Sequence, residues 1–373
     1  MYVLLTVWAW SIITPAQTIF LFKSFSDSSA MSTGFLRCGL DLLENTSLHQ
    51  LGALADRVRR RWHPEGVVTF INDRNINYSN ICISRCRFCA FYRTQKDPQA
   101  YLLSYEEIGR KIDEAKSRGA VQILLQGGLH PDLSLDWYLE LLRYIKRYHP
   151  IHVHGFSAPE IDHISRVSSL SSERVIEKLA EAGLDSIPGG GAEILCARIR
   201  RLISPRKLGV RRWLKIHETA HSLGLKTTAT MVYGLGERMS EIVVHIRHIH
   251  SLQERTGGFT AFIPWSFQPA NTRLRLEKTT PALYLRILAA SRILLDNVPN
   301  VQASWVTQGP DIAQLALYFG ANDFGSTMLE ENVVRAAGCS FKVMDQKTIA
   351  RLIRQAGLRP ALRRQDYSII RML

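Results

Sequence analysis

The chain has 373 residues, 46% of them apolar and 21% charged. That is enough for a large buried core, and it excludes a collagen, a coiled-coil rod, a disulfide scaffold and wholesale disorder. Lysine and arginine number 47 against 33 acidic residues, a net charge of +14, which raises a nucleic-acid partner before any motif is read.

Residues 1–22 carry no charged side chain and have the length of a membrane span. Pro15, Gln17 and scattered Ser and Thr interrupt the apolarity, and no basic region precedes it. Met31 opens a more ordinary segment. Residues 1–30 therefore read as an apolar leader: an upstream extension of the start, with a membrane anchor or a cleaved leader as alternatives. Residues 31–373 read as one domain.

Residues 40–62 suggest a leading helix. From residue 66 short β-rich runs alternate with amphipathic helical stretches. Val67–Ile71 leads in, and Ile76–Cys82 is expected as the first barrel strand. Helices at Tyr105–Arg118, Leu135–Tyr148, Ser172–Ala182, Arg211–Leu223, Ser240–Arg255, Ala282–Asn297 and Ile312–Phe319 each precede an expected strand. Those strands are Val121–Gln126, Ile151–Phe156, Leu184–Ile187, Lys226–Val232, Phe259–Pro264, Val301–Val306 and Ala321–Phe324. Ser104 and Ser171 stand as N-caps before acidic first turns, and Gly119, Gly183 and Gly224 as C-caps. Residues 346–357 suggest a trailing helix. Eight such units over about 250 residues predict an α/β fold, a (β/α)8 TIM-type barrel with flanking N- and C-terminal helices. A doubly wound open sheet is the alternative, but its Gly-x-Gly-x-x-Gly turn is absent.

Three of the six cysteines fall within eight residues, as Cys82, Cys86 and Cys89. No second pair follows at zinc-finger spacing. Three thiolates on one loop can hold three irons of a [4Fe–4S] cluster and leave the fourth open. Zinc with a distant fourth ligand and chance proximity are the alternatives. This Cys-x3-Cys-x-aromatic-Cys spacing, just after the first strand of a β/α barrel, resembles the radical S-adenosylmethionine (SAM) superfamily. There the open iron is chelated by SAM, and one electron yields a 5′-deoxyadenosyl radical. The resemblance places Phe88 near the adenine, with plain core packing as its other role.

Barrel chemistry sits at the C-terminal ends of strands. After the second strand come Gly127 and Gly128, which resemble the superfamily's segment that meets the methionine amino group; a simple turn is the alternative. After the third come Ser157, grouped with the cofactor residues, and Glu160 and His163, at a spacing that suits proton transfer or equally a cap or salt bridge. After the fourth, a triple glycine precedes Glu193, whose carboxylate suits the SAM ribose or a structural role. After the sixth, Trp265, Gln268 and Asn271 offer an aromatic ring and two amides to a small organic substrate. After the seventh comes Trp305.

The segments NYSNICISRCRFCAFYR, QGGLHP, IPGGGAEIL, FTAFIPWSFQP, SWVTQG and GANDFGSTMLEENVVRAAG together look like the dehypoxanthine futalosine cyclases of the futalosine route to menaquinone. The aminofutalosine synthases and the radical-SAM subunits of deazaflavin (FO) synthase share much of the same pattern. The resemblance implies that a deoxyadenosyl radical removes hydrogen from C4′ of the substrate's ribose, and that the carbon radical closes onto the benzoate ring. A base must then take a proton, and His130, Glu160, His163 and Glu331 are the candidates. It implies dehypoxanthine futalosine as substrate, an electron donor such as a flavodoxin or ferredoxin, and a cytoplasmic location. A pure electron-transfer module would use four cysteines. The arginines near residues 57–61, 198–212 and 351–364 accompany no nucleic-acid motif and read as solvated surface, with an anionic substrate or acidic donor as the alternative.

Overall fold

The computed structural model describes residues 28–340 and 343–373. The reading of residues 1–22 as an apolar leader lies outside them. The helix Ser28–Leu40 runs across the boundary expected at residue 30, and Leu48–Trp62 forms the leading helix, capped by Ser47.

Strands β1 (Val67–Ile71) and β2 (Asp73–Asn77) are one run broken at Asn72. Then follow β3 (Gln122–Gln126), β4 (His152–Gly155), β5 (Ser186–Ile187), β6 (Lys226–Tyr233), β7 (Phe259–Ser266), β8 (Asn300–Val301) and β9 (Asp323–Ser326). Strands β2 to β8 pair in chain order, all parallel. Gln302 bridges Asp323, and β9 pairs parallel with β1. The run β1–β2 thus has β9 on one side and β3 on the other, and the ring of eight staves closes. Helices between the staves cover its outside, each burying an apolar stripe. Their ends follow the expected signals: Ser104 forms a capping box with Glu107, and Gly183 closes Ser172–Ala182 at φ 117°, where any Cβ would be strained.

The structure corrects the first strand. Instead of Ile76–Cys82, the stave ends at Asn77, because beyond it the backbone bonds to its own returning loop: Ser79 bridges Leu102, and Ile81 bridges Arg93. The cysteines are thereby released from the sheet. The seventh strand is also short, since Trp305 already begins the helix Trp305–Gln308.

The C-terminus adds what periodicity did not foretell. After the trailing helix Gln346–Gln355, β10 (Arg359–Arg363) pairs parallel with β1, and β11 (Ile369–Met372) pairs antiparallel with β10. Arg363 reaches into the barrel and meets Asp323 at 2.6 Å, with side chains 3% and 0% exposed.

Three histidines, His154, His217 and His245, are buried as neutral rings, and His221 is half-buried. Burial pushes His154 and His245 down to about 3 and His221 to about 4, and it holds His217 well below its usual value. Unfolded histidine titrates near ~6.5, so below that pH the unfolded chain binds protons that the native rings refuse. Stability is therefore complete above about pH 7 and is lost on acidification, by up to about 1.4 kcal/mol per pH unit for each ring. Urea midpoints should be lower at pH 5 than at pH 7; equal midpoints would show that the rings protonate in place.

Candidate active site

The loop released after Asn77 lines a cavity of about 260 Å³ at the C-terminal mouth of the barrel with Cys82, Cys86, Phe88 and Cys89. Gly127 and Gly128 close its side. A Cβ at Gly127 would strike the Tyr78 ring, and one at Gly128 the carbonyl of Ile81. Both glycines are thus required by the close approach of the cysteine loop itself.

All three cysteines are free thiols. Burial pushes Cys86 up to about 11 against the opposing pull of Lys207, and burial also raises Cys89. Among the described residues no three His, Cys, Asp or Glu side chains converge on a single-ion site. The thiols line the cavity wall together, and no fourth cysteine lines it. Three thiol donors around a cavity, with no fourth cysteine, fit a cluster bound by one cysteine per iron at three corners.

Opposite the loop, Glu193 is held at φ 42° with its carboxylate buried. It accepts from Lys207 at 2.7 Å and from Arg200 at 3.3 Å. Burial works against the charge on Lys207, but Glu193 and Cys86 outweigh it and raise its pKa. Lys207 also lies 5.2 Å from the Phe88 ring centre. Lys207 and Arg200 belonged to a basic run expected on the solvated surface; the structure buries Arg200 and sets a half-buried Lys207 in the cavity wall. The only signal for this in the sequence was their closeness to the Gly-Gly-Gly-Ala-Glu segment.

Glu160 also lines this cavity. It accepts from Tyr78 Oη at 2.8 Å, Gly127 N at 2.9 Å, and Ser157 N and Oγ at 2.7 and 2.5 Å. Burial raises its pKa against those bonds. With four donors on two oxygens it ties Tyr78 at the start of the cysteine loop, the glycine turn and the helix Ala158–Val167 together. Ser157 lines the cavity from the same cap. His163 donates from Nε2 to the carbonyl of His130 at 2.7 Å, and His130 Nδ1 accepts from Asp132 N. Both histidines are buried, and neither lines the cavity.

A second chamber of about 150 Å³ lies in the barrel lumen. Gln126, Gly190, Thr230, Trp265 and Val334 line both spaces, so the two adjoin. Trp265 Nε1 is buried without a hydrogen-bond partner. Trp305 lines the lumen, its indole donating to Ser326 O at 2.8 Å. Glu331 lines it as well; its carboxylate caps the helix Val333–Ala336, and burial raises its pKa. Gln268 lines the upper cavity and donates to Ser266. Asn271 lines neither space and donates to Ala336 O at 3.1 Å. Asp73, Gln122 and His154, with Arg363, Gln365 and Tyr367 of the C-terminal hairpin, also line the lumen. None of these six stood out in the sequence, because each is an ordinary polar residue until the barrel closes.

Comparison with known proteins agrees with this architecture. Residues 76–249 match the radical SAM superfamily, and residues 256–373 match the CofH/MqnC C-terminal region. The chain is 48% identical to the cyclic dehypoxanthine futalosine synthase of Halalkalibacterium halodurans, over 88% of this chain and 90% of that one. It is 44% identical to the enzyme of the same name from Streptomyces coelicolor, over 88% and 83%. The crystal structure of methylornithine synthase shares the fold, with a TM-score of 0.70 at 18% identity, over 93% of this chain and 97% of that one. With the three-cysteine loop at the barrel mouth and similarity spanning both halves, the chain belongs to the cyclic dehypoxanthine futalosine synthase family of the radical SAM superfamily.

Proposed function

We propose that this enzyme closes dehypoxanthine futalosine oxidatively to its cyclic product, in the futalosine route to menaquinone. The observation that supports this most directly is the three-cysteine cavity set against a lumen chamber of small-molecule size, with Trp265 in the wall of both. Cys82, Cys86 and Cys89 would hold a [4Fe–4S] cluster, and Glu193, Gly127, Gly128, Ser157 and Phe88 would line the place of SAM. When bound, these groups supply the one-electron chemistry that removes a hydrogen atom from the substrate's ribose. The chain's own residues orient the substrate, exclude water and accept the proton.

Of the four candidate bases, Glu331 alone lines the lumen chamber. Glu160 is saturated with donors and acts as a positioning residue. In Glu331→Gln, release of 5′-deoxyadenosine should persist while cyclised product falls by about 10²-fold, the scale of a lost general base. Parallel loss of both products would move the role elsewhere. Trp265→Phe keeps the ring and removes the unpartnered N–H. It should lower kcat/KM about 3–10-fold, the worth of one neutral hydrogen bond; an unchanged kcat/KM would mean the indole N–H meets no substrate atom.

The deciding experiment supplies anaerobically reconstituted protein with SAM, a reductant and one candidate substrate at a time. Release of 5′-deoxyadenosine with dehypoxanthine futalosine supports the reading. Turnover only with the aminofutalosine precursor, or only with tyrosine and the deazaflavin precursor, would assign a sister activity.

A further inference from the structure

Behind the glycine turn stands a row of aromatic rings that the chemistry above does not use. Its inner end is Tyr78, fully buried against Gly127. Tyr78 meets Trp137 at 5.4 Å between ring centres, Trp137 meets Tyr105 at 5.6 Å, Tyr105 meets Tyr144 at 5.8 Å, and Tyr144 meets Tyr148 at 5.1 Å. Each separation is that of rings in contact. Burial falls along the row: Trp137, Tyr105 and Tyr144 are half-buried, and Tyr148 is 57% exposed. Trp137, Tyr144 and Tyr148 lie on one stripe of the helix Leu135–Tyr148. Trp137 and Tyr144 stand about 10 Å apart along its axis, and Tyr105, from the helix Tyr105–Ser117, fills the gap. Tyr138 and Phe156 form a side branch that ends in the core. Among the described residues, Tyr105 meets the inner rings only through Trp137. The inner end can also release a proton: Tyr78 Oη donates to Glu160 at 2.8 Å, and Glu160 lines the cavity beside the cysteines.

We propose that this row is an escape route for oxidising equivalents, which moves a carbon radical that has missed its substrate out of the cavity and onto the surface as a tyrosine or tryptophan hole. The inference rests on the radical chemistry proposed above. Phenylalanine would fill the same places if packing were the whole purpose; tyrosine and tryptophan add rings that lose an electron readily, and contact lets each ring pass the hole to the next. The stray radical gains one hydrogen atom. Tyr78 supplies the electron and Glu160 passes on the phenolic proton, so a C–H bond forms and the Tyr78 O–H bond breaks. Electrons then move inward from Trp137, Tyr105, Tyr144 and Tyr148 in turn. Tyr78 regains a proton from water through Glu160 as Tyr148 releases one to solvent. A thiol in solution returns a hydrogen atom to Tyr148 and is oxidised, and two such thiols pair as a disulfide.

The test gives the reconstituted enzyme SAM and limiting reductant without substrate. It reads released 5′-deoxyadenosine, the electron paramagnetic resonance of freeze-quenched samples, and intact mass. The wild type should show a radical signal that narrows when its tyrosine rings are deuterated. A polymer-bound thiol too large for the cavity should erase that signal, and the protein mass should stay unchanged. Trp137→Phe should strand the hole on Tyr78: the signal then persists beside the same thiol, and covalent deoxyadenosyl adducts of the protein rise severalfold. Trp137→Tyr should restore the wild-type pattern, whereas a packing role would not separate phenylalanine from tyrosine. If Trp137→Phe does not fold, Tyr105→Phe breaks the row one ring further out at the loss of one hydroxyl bond to Trp137 O, with the same pattern expected. A wild type that releases 5′-deoxyadenosine without a tyrosine signal overturns the proposal. So does an equal thiol response in the wild type and the phenylalanine variants. A wild type that releases no 5′-deoxyadenosine even with dehypoxanthine futalosine overturns the radical chemistry itself, a failure distinct from that of the aromatic row.

Discussion

Cys86→Ala should abolish both the visible absorbance of the reconstituted cluster and all turnover. Of the three thiols it is the most deeply buried residue, 5% exposed, with Ser84 Oγ 3.1 Å from its sulfur. It lies near Lys207 and Glu193, whose charges act on it, and so joins the cysteine loop to the opposite wall. Two remaining thiols leave two corners of the cube without protein ligands. The loop also packs through backbone contacts to Leu129 and Ile203, so the variant should still fold, and its far-ultraviolet circular dichroism should match the wild type. Cys38→Ala removes a buried thiol of the N-terminal helix that lines neither cavity, and should keep both cluster and activity. A Cys86→Ala enzyme with full activity would refute the site.

Arg363→Met should cost about 3–5 kcal/mol of stability, the scale of stranding one partner of a buried ion pair. Asp323 accepts two bonds from this guanidinium, at 2.6 and 3.1 Å, as well as bonds from Thr69 Oγ1 and Gly325 N. Its side chain is fully buried. Arg363 also stacks 3.9 Å from the Tyr367 ring centre. Methionine keeps much of the volume but leaves the carboxylate without its counter-charge, at the point where β9 closes the ring against β1. The double variant Arg363→Met/Asp323→Leu should recover part of the loss, because it removes both charges together. Urea unfolding monitored by circular dichroism measures both. A single-variant loss under about 1 kcal/mol would show that water or a shifted side chain compensates Asp323.

Much of this molecule was legible before folding. Strand–helix alternation announced the barrel because each unit carries its own periodicity and caps; Leu135–Tyr148 and Ser172–Ala182 lie where the pattern put them. The cysteine loop was legible because its ligands are close in sequence. Strand ends were less so. Ile76–Cys82 has the β-branched and aromatic content of a strand, yet hydrogen bonds to a loop that returns some twenty residues later end the stave at Asn77. Lys207 and Arg200 misled in the opposite sense: their charge argued for solvent, and a buried Glu193 on another segment drew them inside.

By itself, the sequence determined what short-range physics determines: the staves, their caps and a loop of three thiols at the end of the first strand. The tertiary structure alone decided what depends on contacts between distant residues. It brought Glu331 to the lumen and left His130 and His163 aside. It added Tyr78 and Gly127 to the local Ser157 cap on Glu160, and it set Arg363 from the C-terminal hairpin against Asp323 inside the barrel. Such partners lie tens to hundreds of residues apart, and no local propensity encodes them. They are selected when ring closure forces each buried charge and polar atom to find a partner out of water.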